Sequence, residues 1–290
     1  MKIEYDFPTI KTATVPDSYM SNYDAFEKGW ISTSALSLLM MCGQAFNFKY
    51  VLGIREPVNV RMTAGSGAHK GREINLRQKI ESHEDLPFED CQDASRDYVN
   101  NSFDTKEVQV EQEFDGKSKE DAKGITVDLA VEIARKDREI FQPEIQPVQV
   151  ERSLAVEYPE MSRIIVGTID AEEGGEVVRD LKSGKRAYGQ SKADDSMALS
   201  TYGVLLTATS GKMPSEYLID NVVASGKSPV KTGAYRTTRT KEQLERQLRR
   251  FASWLKVVDS GMFAPCNPEE WKCSPDWCGY WKMCPYGGGK

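Results

Sequence analysis

The chain has 290 residues, 39% hydrophobic and 28% charged, which allows a substantial core in one elaborated domain or two and matches a soluble globular protein. Its net charge of −6 excludes a protein that coats nucleic acid unspecifically over its whole surface, while a local basic channel stays compatible with it. No run approaches the roughly 18 apolar residues of a membrane helix, and the opening Met1 to Thr12 lacks the apolar core of a signal peptide, so a cytoplasmic protein without membrane association is expected.

Residues 1–30, with Pro8 and Pro16, show no clear periodicity and read as a loosely structured lead-in. Ser32-Thr33-Ser34 then offers an N-cap to a helix over Ala35 to Leu52, where Leu36, Leu39, Met40, Phe46 and Tyr50 recur at near-helical spacing and Gly53 closes the run. Cys42 lies within it; alone, such a cysteine is more often a buried small hydrophobe than a ligand. Thr63 to His69 enters a second helix through Arg72, Ile74, Leu76 and Ile80. The small residues at its start allow close backbone approach to another element or to a ligand. His69 and His83 are the two histidines, and a lone helical histidine is usually a packed or exposed side chain. Residues 85–145 read as acidic loops with short β-like pieces, Phe141 to Pro147 as a connection, and Val148 to Val156 as a strand carrying Glu151.

The stretch from Met161 to Lys182 is the most informative. Two β-rich runs, Arg163 to Asp170 and Glu176 to Leu181, flank Glu172-Glu173-Gly174-Gly175 and predict a hairpin. Asp170 closes the first strand. Asp180 and Lys182, two apart on the second, point to one face. Two carboxylates converging on one point suit Mg²⁺ or Mn²⁺, and an adjacent lysine can orient or activate a water or steady phosphate charge. An isolated D-x-K means little, because strand ends commonly carry such residues.

Beyond Ser183-Gly184 a polar loop leads to a helix over Asp194 to Thr209, a strand over Tyr217 to Val223 and a helix over Thr240 to Val258, whose Leu244, Leu248, Phe251 and Leu255 share one face. From Lys227 to Lys256 the basic residues, Arg246, Arg249 and Arg250 among them, far outnumber Glu242 and Glu245. Such a segment is either a phosphate-binding surface or a solvated helix face. Four of the six cysteines, Cys266, Cys273, Cys278 and Cys284, crowd the tail. That density in an otherwise intracellular sequence indicates metal or cluster binding; without paired CxxC knuckles or histidine, a 4Fe-4S cluster suits it as well as zinc or better.

Gly167-Thr168-Ile169-Asp170 followed by Asp180-Leu181-Lys182-Ser183-Gly184 closely resembles the core of the PD-(D/E)XK nucleases, specifically the RecB-like branch. Gly65-Ser66-Gly67-Ala68-His69 resembles that branch's G-x-x-x-H element, and Cys42-Gly43-Gln44-Ala45-Phe46 resembles, with glycine for proline, the C-P-x-x-[FY] element of members that carry an iron–sulfur cluster. The interval from Cys278 to Cys284 is that of the AddB-type and CRISPR-associated exonucleases. The resemblance implies Asp170, Asp180 and Lys182 as catalytic residues, with His69, Asp170, Asp180 and the Leu181 carbonyl holding Mg²⁺ or Mn²⁺. It also implies a 4Fe-4S cluster on Cys42, Cys278, Cys284 and either Cys266 or Cys273, of which Cys273 is favoured by its place beside the pair. Glu151 resembles a glutamate that many members place one strand earlier. Tyr202 matches the tyrosine of a Q-L-x-x-Y element whose glutamine is replaced here by Ala198; Gln190 substitutes only if its loop folds back. Cys91 is expected to be a free thiol.

The organisation expected from this resemblance is a lead-in over residues 1–30 and a single α/β nuclease domain over 31–290, a mixed central sheet flanked by helices. Within it lie a helical part over 31–84, a catalytic core over 148–258 and a cysteine-bound cap over 259–290. The implied activity is metal-dependent DNA exonuclease action on single strands or ends, with Arg246, Arg249, Arg250 and Tyr202 as substrate contacts. The implied setting is recombination, replication, phage DNA metabolism or CRISPR adaptation, with protein partners from those processes. Two rivals stand beside it: a catalytically weak or inactive nuclease fold retained for DNA binding or assembly, and a zinc-binding interaction protein with a coincidental D-x-K.

Overall fold

In a computed structural model of the chain, residues 10–20, 29–110, 116–174, 176–225 and 229–287 are described. Short elements come first: β1 (Lys11–Thr12), α1 (Asp17–Met20) and β2 (Trp30–Ser32). Helices α2 (Thr33–Met41) and α3 (Gly43–Phe46) follow, then a π-helical turn over Asn47–Val51 and β3 (Val58–Asn59). Three long helices, α4 (Val60–Ser82), α5 (Phe88–Thr105) and α6 (Lys119–Ile140), are interrupted only by β4 (Val108–Gln109). The remainder is β5 (Pro147–Glu157), β6 (Ile164–Glu173), β7 (Val177–Gly184), α7 (Gln190–Asp194), α8 (Met197–Ser210), β8 (Glu216–Val223), β9 (Lys231–Thr237) and α9 (Lys241–Asp259).

Among the described residues the main sheet is seven-stranded, in the order β1-β5-β6-β7-β8-β9 with β2 against β6. The β6–β7 and β8–β9 pairs are antiparallel and β7–β8 is parallel, so the sheet is mixed. Alternating side chains give it two apolar faces. Leu36 and Leu39 of α2, Leu199 and Leu205 of α8 and Leu244, Leu248, Phe251 and Leu255 of α9 pack on one face with Ile165, Val178 and Ile219. Val60, Ala64 and Ala68 of α4, Val99 and Phe103 of α5 and Leu129 and Ile133 of α6 cover the other with Leu181 and Val222. This is the expected mixed sheet flanked by helices.

Three sequence expectations need correction. The lead-in is structured where it is described: Ile10 is buried, β1 pairs with β5, and the Tyr19 hydroxyl bonds Thr168 Oγ1 at 3.1 Å. Strand edges capture such segments through backbone bonds that need no hydrophobic period.

The helix expected over Ala35 to Leu52 starts at its cap, Ser32, whose hydroxyl accepts from the Ala35 amide at 3.2 Å, but it breaks at Cys42. That residue is extended (φ −156°, ψ 108°), and its thiol accepts from the Ala45 amide to restart the helix. Gly43 faces the returning tail so closely that a Cβ would lie 2.6 Å from the Ala264 carbonyl oxygen.

Residues 85–145 are dominated by α5 and α6 rather than acidic loops. The buried stripe of α5, Cys91, Ser95, Val99, Ser102 and Phe103, includes two serines, which do not count as apolar when the period is read from sequence. The small residues of α4 serve this packing: a Cβ on Gly71 would meet Ser95 Oγ at 2.5 Å and the Cys91 carbonyl at 2.7 Å. Close helix approach, not a ligand, explains that position.

Candidate active site

The site forms where β6 and β7 part. The two strands pair from Glu173↔Val177 to Ala171↔Arg179, after which β7 continues beside β8. At the fork Asp170 uses its side chain where the ladder ends: Oδ2 accepts from the Leu181 amide at 2.9 Å. The same oxygen lies 3.3 Å from His69 Nδ1 on α4. His69 of α4 and Asp170 of β6, 101 residues apart in sequence, are thus brought together beside the strand that carries Asp180.

Asp180 is only 1% exposed. Its Oδ1 accepts from the Tyr202 hydroxyl of α8 at 3.3 Å, and its Oδ2 lies 2.5 Å from Lys182 Nζ. The charged partner of this buried oxygen is therefore the Lys182 ammonium. Burial raises the Asp180 pKa, opposed by Lys182 and reinforced by Asp170. Burial acts against the Lys182 charge, but Asp180 and then Asp170 outweigh it and hold the ammonium above the ordinary lysine range. Tyr202 is pushed well up by burial and by Asp180, which fixes it as a donor.

Glu151 completes the row. The Val150↔Ala171 and Arg152↔Ile169 pairs put it across from Asp170, and its φ of 49° is a left-handed conformation that a glutamate adopts only under constraint. Burial, then the nearby Asp170, pushes its carboxyl up to about 8. One ligand atom from each of His69, Glu151 and Asp170 lies within 4.8 Å of the others. Facing carboxylates repel and are costly without a counter-charge. Three acid groups and an imidazole are a donor set that fits a hard divalent cation such as Mg²⁺ or Mn²⁺.

Sequence reasoning missed what holds these groups. Arg72, one turn beyond His69 on α4, is 2% exposed and pairs with Asp137 of α6 and Asp220 of β8, each at 2.7 Å. Asp220 also takes Arg179 Nη1 at 3.1 Å, and Arg179 Nε pairs with Glu173. Because Asp220 sits across from Leu181 in the β7–β8 register, this buried network fixes α4, and with it His69, on the strand that carries Asp180 and Lys182. The signal available was a helical arginine at i+3 from His69, on the same helix face.

Other sequence candidates fall elsewhere. Gln190 does not turn back to the site; its amide donates to Asp194 Oδ1 and to the Arg236 carbonyl, both at 2.8 Å. Arg249 lies 3.8 Å from Glu245, and Arg250 donates to Gln247 at 3.3 Å. None of Arg246, Arg249 and Arg250 lines the groove that reaches Lys182 and Tyr202, and Lys227 lies outside the described residues. The groove has a volume of about 870 Å³ and is walled instead by the lead-in, α2, the loop before α8 and the tail. Cys91 is a buried free thiol, pushed up to about 11 chiefly by burial.

The tail closes a second site. Cys42, Cys266, Cys273, Cys278 and Cys284 all line one pocket whose other walls include Leu38, Ala45, Phe48 and Tyr280, and none forms a disulfide. The Cys266 thiol contacts both Cys42 and Cys273; burial and these neighbours push it up to about 12. Burial likewise raises Cys278, with Cys42 and Cys284 adding to it. Five thiols gathered in one apolar pocket are a soft donor set that fits a bound metal or iron–sulfur cluster.

Residues 31–285 match the sequence pattern of the family described as the PD-(D/E)XK nuclease superfamily. Among solved structures, a protein from Eubacterium rectale provisionally named an exonuclease is similar, with 13% identity, a TM-score of 0.56 and coverage of 88% of this chain and 90% of that one. At that identity the likeness concerns the fold. SSO0001 matches at 13% identity and a TM-score of 0.32, covering 80% of this chain and 87% of its own, too distant to carry an argument. No curated protein sequence matches the chain.

Proposed function

The chain belongs to the PD-(D/E)XK nuclease superfamily, and on that footing we propose that it is a divalent-metal-dependent DNA exonuclease of the RecB-like branch, acting on single strands or strand ends. The observation that carries this is the convergence of Asp170, Asp180, Lys182 and His69 at the fork between β6 and β7, with Glu151 across from Asp170. His69, Asp170 and Asp180 with the Leu181 carbonyl would hold Mg²⁺ or Mn²⁺, and Glu151 adds a further oxygen. Such an ion supplies Lewis acidity and a water of lowered pKa.

The chain's own groups do the rest. Lys182, kept charged beside two carboxylates, orients the attacking water and steadies negative charge as it gathers on the phosphate. Tyr202 donates to Asp180 Oδ1 and keeps that carboxylate turned toward Lys182. The Leu181 amide does the same for Asp170. A 4Fe-4S cluster on Cys42, Cys273, Cys278 and Cys284 would clamp the tail to α3, a structural duty outside the hydrolysis. Cys266 is then the fifth thiol of the pocket.

The test is degradation of end-labelled DNA by anaerobically purified protein. Activity is expected with Mg²⁺ or Mn²⁺, none with chelator, and a loss on the order of 10²- to 10⁴-fold in Asp180→Ala, the range for removing a positioned catalytic group. Full activity in Asp180→Ala removes the mechanism.

A further inference from the structure

The tail puts aromatic surface where a globular protein rarely leaves it. Trp271 and Trp277 are 63% and 44% exposed, and they meet edge to face with ring centroids 5.4 Å apart. Both line the groove that leads to Lys182. Met41 and Met62, exposed by 37% and 59%, line it too. Exposed large hydrophobics gathered in one groove mark a binding surface.

The charge in the groove selects its occupant. Lys49, Lys182, Lys192 and Lys272 line it against Glu56 and Asp195, a local positive excess in a chain of net charge −6. Aromatic rings stand among the lysines: Lys49 lies 5.6 Å from the Tyr50 ring centre, Lys192 lies 5.8 Å from that of Tyr188, and Lys272 follows Trp271 in sequence. Cations interleaved with flat aromatic faces are the means by which proteins hold single-stranded nucleic acid, phosphate to ammonium and base to ring. A paired duplex offers its phosphates but no base face, because each base is stacked on both sides.

We propose that Trp271 and Trp277 form a stacking platform for the unpaired bases of single-stranded DNA, with the groove lysines taking its phosphates, so that the cysteine-rich tail selects the strand delivered to Lys182. This rests on the nuclease reading for the direction of the strand, but not for its binding.

The test measures binding without cleavage. With chelator present, anisotropy of a labelled oligo(dT) and of a duplex of equal length is followed for wild type, Trp271→Ala and Trp277→Ala. Single-strand affinity is expected to fall about 5-fold or more in each variant, from the worth of one base–aromatic stack, with duplex affinity changed less than about 2-fold. No loss, or an equal loss on both ligands, overturns the proposal. Should an alanine variant fail to hold its tail, W271F/W277F serves: oligo(dT) is expected to quench tryptophan fluorescence in wild type and not in this variant, which still binds through its phenyl rings. Quenching that persists in W271F/W277F overturns it as well. Binding as expected without cleavage under any divalent cation counts against the nuclease reading alone; cleavage with binding indifferent to the tryptophans counts against the platform alone.

Discussion

The fork between β6 and β7 and the cysteine-lined tail are two sites built on opposite plans. At the fork, the groups hang from helices and strands; a backbone amide orients Asp170, a hydroxyl orients Asp180, and the buried Arg72–Asp220 pair holds the helix of His69. After Asp259, no helix or strand occurs among the described residues. The tail is a series of turns held by Tyr280, which packs on Phe48 and donates to the Ile54 carbonyl at 3.1 Å, and by the Gln44 side chain on the Phe263 carbonyl. A chain segment with so little regular structure needs a cross-link to be rigid. The first site is thus shaped by the fold, whereas the proposed cluster would shape the second.

Removing the proposed cluster is the strongest way to break the comparison. Stripping iron from the protein, or changing Cys278→Ser, is expected to bleach absorbance near 400 nm (a rough expectation for thiolate-bound clusters) and to open residues 260–287 to limited proteolysis. The core's main unfolding transition should persist. Structural metal sites contribute on the order of 10 kcal/mol to the segments they fold, so the tail's change is all or none. Cys266→Ser sharpens the point: with Cys273 as ligand the colour and iron content stay whole, and their loss would move the ligand to Cys266, whose thiol already contacts Cys42 and Cys273. Zinc in a colourless preparation would replace the cluster altogether.

The same division explains what the sequence made legible. Strand period and hairpin turn place Asp170, Asp180 and Lys182 near one another in the sequence, and the resemblance to the nuclease core is what gives them a role. The thiols could be read because density is itself a signal. The long helices α5 and α6 were not read, although the capping box of Ser118 and Asp121 marks the start of α6, because acidic composition masked modest apolar stripes. Glu151 has only a resemblance behind it in the sequence, since its place across from Asp170 depends on the register between β5 and β6. The arginines of α9 looked like a DNA surface because charge density carries no direction; the helix turns its apolar side to the sheet and stands away from the groove. Trp271 and Trp277 went unread for the same reason, with exposure visible only in three dimensions.

A smaller effect tests whether the fold truly holds the first site. Arg72 is buried between Asp137 and Asp220, and removing one member of a buried ion network strands the others, at a cost of about 3–5 kcal/mol. Arg72→Met is expected to lower stability by that amount in urea unfolding while the tail keeps its cluster absorbance. It also frees α4 to rotate, so His69 loses its place, and the concentration of Mg²⁺ or Mn²⁺ for half-maximal activity should rise. A variant that unfolds less readily than wild type would show that Arg72 is dispensable to the floor of the site.

The smallest effect concerns Glu151 and has a sign of its own. Its carboxyl is raised from the usual 4.5 to about 8 by burial and by Asp170, so the folded metal-free protein binds this proton more tightly than the unfolded chain does. A raised folded pKa contributes stability that is full below about pH 4.5 and is lost as pH climbs through about 8. Chelator-treated protein should therefore weaken between these limits, and Glu151→Gln, which keeps shape without charge, should flatten that slope. The gain expected at pH 8 is about 1–3 kcal/mol, discounted from the full 1.4 kcal/mol per pH unit for partial solvent access, and none is expected near pH 4.5. With Mg²⁺ or Mn²⁺ present the order should invert, because the charge that strains the empty site is the charge that binds the ion. Thermal unfolding of both proteins at the two pH values, with and without metal, reads all of this; a Glu151→Gln curve parallel to wild type throughout would remove Glu151 from the site and leave its left-handed backbone without a purpose there.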